Sequence, residues 1–92
     1  MAKHHLHTTH REIVKRLRRA EGHLATVIDM IEAGRDCVDL AQQLQAVEKA
    51  IENAKKTLIH DHIDHCLEDS VATNGKTARH SILEFKEITK YL

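Results

Sequence analysis

The chain has 92 residues, with 14 Lys+Arg against 14 Asp+Glu and a formal net charge of +0, so it can bury one modest core and has no room for a two-domain enzyme. With no Pro, three Gly, 41% hydrophobic residues and a single Tyr and Phe as its aromatics, it lacks the turn chemistry and aromatic strand content of a barrel or sandwich and predicts an all-α fold. Balanced charge leaves any nucleic-acid site to a local patch, while nine His bring metal and proton chemistry forward.

In chain order, residues 1–8 carry His4, His5 and His7 without apolar periodicity and read as a mobile, His-rich arm too irregular for a purification tag. Thr9 with Glu12 reads as a capping box, after which Ile13, Val14, Leu17, Leu24, Val27, Ile28 and Ile31 recur at helical spacing up to Gly34, predicting a first helix over about 10–33. Asp36 and Asp39 can cap the next segment, whose apolar stripe runs from Val38 to Leu67 without Gly or Pro and predicts a second helix over about 37–68. Asn74-Gly75 breaks the pattern, and Ile82, Leu83, Phe85, Ile88, Tyr91 and Leu92 mark a shorter third helix over about 77–91. The whole of 1–92 reads as one helical domain without internal repeats.

A second helix of that length runs to about 45 Å, longer than a compact globule of this size is wide. Its apolar stripe needs cover from another subunit, so the expected assembly is an antiparallel helical pair that forms a dimer or a dimer of dimers. Two Cys without a signal-peptide pattern or an 18-residue apolar run fit free thiols in the reducing cytoplasm, with no membrane partner.

The second helix ends in His60, Asp61, His62, Ile63, Asp64, His65, Cys66. His62 and Cys66 are i and i+4, so they leave one face of one turn, the spacing by which a helix offers two metal ligands. Cys37 precedes His62 by 25 residues, about 37 Å along one straight helix, too far for a shared site within a chain. An antiparallel dimer instead brings Cys37 of one subunit to His62 and Cys66 of the other, an intersubunit Cys-His-Cys set. The bland reading, a buried apolar cysteine and a helix-terminal histidine favoured by the dipole, does not account for both cysteines falling where such a dimer unites them.

The run Arg16-Leu17-Arg18-Arg19-Ala20-Glu21-Gly22-His23 resembles the first-helix signature of the CsoR/RcnR-type metal-sensing repressors, with His23 in place of the usual Gln. Gly34-Arg35-Asp36-Cys37 and Ala41-Gln42-Gln43-Leu44-Gln45-Ala46-Val47 resemble the start of their second helix, and His62 and Cys66 fall on their remaining ligand positions. The resemblance covers about residues 9–70 and implies a three-helix protomer, a dimer of dimers, and an operator-bound apo form released by an effector. It implies Cys37, His62 and Cys66 as ligands in the copper(I) branch. In the nickel and cobalt branch an arm histidine joins, 32 residues before the first Cys, where His5 stands; His4 and His7 are substitutes for it. Two thiolates and an imidazole suit Cu(I), and a fourth donor suits Ni(II), Co(II) or Zn(II), with the His-rich arm favouring Ni(II)/Co(II). Asp61 and Asp64 can orient the imidazoles, while His10, His23 and His80 read as solvent-facing or core-edge residues.

Arg11, Lys15, Arg16, Arg18 and Arg19 put five positive charges within nine residues. Alone they read as a solvated face with no aromatics to stack bases, but several copies on a helical assembly can span phosphates and read duplex shape. Relatives carry an Arg eleven residues after the first Cys, where this chain has Glu48 followed by Lys49, so Lys49, Lys55 and Lys56 are weaker substitutes for bidentate phosphate binding. The leading expectation is a metal-responsive transcriptional repressor that binds operator DNA as a homo-oligomer. Its rivals are the same fold sensing formaldehyde through Cys37, which Ala2 and Cys66 argue against, or reactive sulfur through Cys37 with Cys66, and a metal-storage or delivery protein that binds no DNA. With no phosphate loop or nucleophile elbow, an enzyme is not expected.

Overall fold

The computed structural model describes residues 8–72 and 75–92, with side-chain surroundings for 9–68 and 79–92. Helix α1 spans Thr8–Glu32, α2 Cys37–Ala72 and α3 Gly75–Ile88, and a 3₁₀ turn follows at Thr89–Tyr91. The fold is all-α, with two long helices and a short C-terminal one, as composition and periodicity predict. None of the helices among the described residues is long and apolar enough to cross a membrane.

The helix ends show which local signals act. Gly34 has φ +79°, the left-handed conformation a glycine adopts at little cost. Its N–H donates to Ile31 O at 3.1 Å while Arg35 N–H reaches back to Met30 O at 3.0 Å, the paired bonds by which a helix C-terminus satisfies its last carbonyls. The Asp36 carbonyl accepts the first bond of α2 from Leu40 N at 3.0 Å. Arg35 Nη2 donates to Asp39 Oδ2 at 2.6 Å across the turn, and Asp39 stands in the first turn of α2, where the helix dipole favours an acid.

Other boundaries differ from the sequence reading. Helix α1 starts at Thr8 rather than 10, which places Thr9 inside the helix; its Oγ1 is buried with no hydrogen-bond partner among the described residues, so the Thr9–Glu12 capping box does not form. Helix α2 runs on to Ala72 because neither Gly nor Pro interrupts it after Leu67. The predicted third helix splits near its end: Thr89 Oγ1 donates to Lys86 O at 2.9 Å, and the last residues tighten into the 3₁₀ turn.

The chain divides into two compact units, Met1–Lys55 and Lys56–Leu92. In the first, Ile13, Ala20 and Val27 of α1 and Val47 and Ala54 of α2 are buried. Each set repeats every seven residues, close to two helical turns, so each forms a stripe along one side of its helix. The His23 Nε2–H donates to Gln43 Oε1 at 2.7 Å, joining the two helices of this unit. In the second unit the buried residues are Ile59, Cys66 and Ser81.

A second apolar stripe on each long helix faces outward. Val14, Leu17, Leu24, Ile28 and Ile31 of α1 and Leu44 and Ile51 of α2 are between 40% and 52% exposed. On α1 the first four fall within roughly 80° of arc beside the buried stripe. Helices that are apolar on two sides have one side to give to the hairpin and one left over.

Candidate functional site

The Lys56–Leu92 unit gathers the chemistry that the end of α2 announces. One helical turn presents His62 and Cys66, and α3 contributes Glu84; one ligand atom from each lies within 4.8 Å of the other two. Cys66 is buried at 4% exposure, whereas the His62 side chain is 33% exposed and that of Glu84 48%. A sheltered thiol beside a half-open imidazole offers donors with one approach from solvent.

Glu84 divides its carboxylate between two imidazoles. Its Oε1 lies 4.0 Å from His62 Nε2 and its Oε2 lies 3.7 Å from His80 Nε2, one turn back on α3. Leu83, Ile88 and Tyr91 continue the same open cleft with apolar surface. The i, i+4 spacing found His62 and Cys66, but nothing in the sequence marked Glu84. It is 18 residues from Cys66 on another helix, and an acid in a charged helix reads as solvated surface. His80, read as solvent-facing, is exposed but also borders this site.

Cys37 is the first residue of α2 and is exposed, whereas Cys66 is buried. It belongs to the Met1–Lys55 unit and is not one of the three clustered donors. His5, with His4 and His7, lies outside the described residues. Asp64 is exposed and Asp61 half-buried. His65 Nδ1 lies 3.8 Å from Glu68 Oε1, an i, i+3 pair away from the cluster.

The donors present fit a transition-metal ion. A thiolate and an imidazole from one turn are what Zn(II), Cu(I), Ni(II) and Co(II) sites use, and the Glu84 carboxylate stands close enough to both to add an oxygen donor.

The predicted basic residues form a surface. Arg11, Lys15, Arg16, Arg18 and Arg19 are all exposed on α1. Arg11, Lys15, Arg18 and Arg19 share an arc of about 100° on the side away from the buried stripe, with Arg16 roughly 60° further round. Glu12 Oε2 lies 3.8 Å from Lys15 Nζ, an exposed pair of little strength in water. Lys49 is exposed but is drawn to Glu52, 3.6 Å away, and stands next to Glu48. The positive face is therefore carried by α1.

Comparison with known proteins identifies the family. The family model for metal-sensitive transcriptional repressors matches residues 9–91. The copper-sensing transcriptional repressor CsoR of Bacillus subtilis (strain 168) is 36% identical over 100 residues, covering 98% of this chain and 99% of that protein. The copper-sensing repressor CsoR of Mycobacterium ulcerans is 32% identical, covering 97% of this chain and 77% of that protein. The copper-sensing repressor RicR of Mycobacterium tuberculosis is 36% identical over 70 residues, 76% of this chain and 73% of that protein. No solved structure gives a significant match. With the match running from the first turn of α1 to the last turn of the chain, this protein belongs to the metal-sensitive transcriptional repressor family and is a regulator rather than an enzyme.

Proposed function

We propose that this protein is a copper(I)-responsive repressor that holds operator DNA without metal and lets it go when Cys37 of one protomer and His62 with Cys66 of another bind the ion together. The observation that carries the reading is the pairing of His62 and Cys66 on one turn, with their donor atoms close and Cys66 sheltered, while the other thiol stands exposed at the far end of the same helix. The outward stripes of α1 and α2 support an antiparallel assembly that brings those ends together, and a dimer of dimers in cytoplasm is the form proposed. Two thiolates with one imidazole suit a soft ion of low coordination number, and the similar repressors are named as copper-sensing. The exposed face of Arg11, Lys15, Arg16, Arg18 and Arg19 supplies the phosphate contacts, repeated on each protomer.

Bound copper supplies a link between protomers; the protein's part is to hold the three donors on helices whose packing sets the spacing of the basic faces. The effector acts by binding one arrangement more tightly than the other. The test is an electrophoretic mobility shift with the DNA upstream of the protein's own gene, titrated with Cu(I). The wild type is expected to release the duplex, and Cys37→Ala to keep the oligomer and the DNA but no longer respond. Normal copper-induced release by Cys37→Ala would remove Cys37 from the site.

A further inference from the structure

Within a single protomer the third donor beside His62 and Cys66 is an oxygen. The Glu84 carboxylate lies as near as 4.0 Å to His62 Nε2, and the three donor atoms are mutually within 4.8 Å. Ligand bonds of about 2.0–2.3 Å around a tetrahedral ion set donors roughly 3.3–3.7 Å apart, so the group needs to close by only a fraction of an ångström to about one. Glu84 can make that adjustment because its side chain is 48% exposed. Cys66 stays fixed in the buried interior of its unit.

We infer that each protomer carries an alternative, intraprotomer site, His62–Cys66–Glu84, for a divalent ion of borderline hardness such as Zn(II), with a fourth position open to water. One imidazole, one thiolate and one carboxylate match such an ion's mixed nitrogen, sulfur and oxygen preferences, whereas Cu(I) gains little from a carboxylate. The two sets share His62 and Cys66 and differ in the third donor: Cys37 thiolate from another protomer, or Glu84 carboxylate from the same one. This site rests on the geometry of one protomer and stands apart from the intersubunit reading.

The experiment titrates the full-length protein, anaerobically and reduced, with Co(II) as the spectroscopic probe and separately with Cu(I). Cys37→Ala is expected to keep Co(II) affinity within about threefold, with thiolate-to-cobalt charge transfer from a single sulfur, and Glu84→Gln to lose about tenfold or more. For Cu(I) the order reverses, with Glu84→Gln near wild type and Cys37→Ala weakened. Unchanged Co(II) affinity in Glu84→Gln, or loss of the cobalt spectrum in Cys37→Ala, overturns the intraprotomer site. Indifference of Cu(I) affinity to Cys37→Ala overturns the intersubunit reading and leaves the cobalt comparison standing.

Discussion

Replacing either of two glycines by alanine should move stability in opposite directions, for a reason visible in the backbone alone. A Cβ added at Gly22 or at Gly34 meets nothing within 4 Å, so steric clash drops out of both. Gly34 holds φ +79°, where an L-residue loses about 1–2 kcal/mol. The reduced freedom of the unfolded chain offsets about 0.4–1 kcal/mol of that, leaving Gly34→Ala less stable by about 0.5–1 kcal/mol. Gly22 is exposed within α1, on the side away from the buried stripe, where alanine is worth about 0.5–1 kcal/mol over glycine. The two variants should therefore differ by about 1–2 kcal/mol, and about 1 kcal/mol moves the midpoint of a domain of this size by roughly 4–8 °C. The assay is thermal unfolding followed by circular dichroism, at one fixed protomer concentration because assembly makes the midpoint depend on it. Gly34→Asn should fall between Gly34→Ala and wild type, since asparagine tolerates the left-handed region. A Gly34→Ala midpoint at or above wild type, or a Gly22→Ala midpoint below it, would refute the reasoning.

Charge reversal at Arg19 should weaken binding to specific and non-specific duplexes alike, with the slope of log affinity against log salt falling by about 0.9 for each phosphate that is no longer neutralised. An unchanged slope by fluorescence anisotropy would make α1 a solvated face only. Ile51→Lys, on the outward stripe of α2, should shift the protein to a smaller species in sedimentation equilibrium; an unaltered mass would place the assembly face elsewhere.

The helical spacing of apolar side chains and the glycine after α1 are legible in the sequence because both are local. Period reports a helix face, and Gly34 supplies a conformation other residues resist. The failed signal was also local: Thr9 has the right residue type for a cap, but the backbone is already helical at Thr8, and a side chain within the helix cannot cap its start. His62 and Cys66 could be read because one turn of one helix brings them together. Glu84 could not, because its place beside them comes from packing of α3 on the end of α2, which no spacing within either helix encodes. The His23–Gln43 bond has the same origin. Periodicity aligns each helix face, but which polar residues meet across the hairpin is set by its register.

The outward apolar stripes tie the repressor's fold to its abundance. Among the described residues the exposed large apolar side chains outnumber the buried ones, so much of the burial that opposes chain entropy becomes available only in the assembled state. Mass action then acts on folding itself: diluting the protein draws protomers out of the assembly toward the unfolded ensemble, where proteases act. A cell that makes too little of it loses folded subunits as well as operator occupancy, and repression should fall more steeply than expression does.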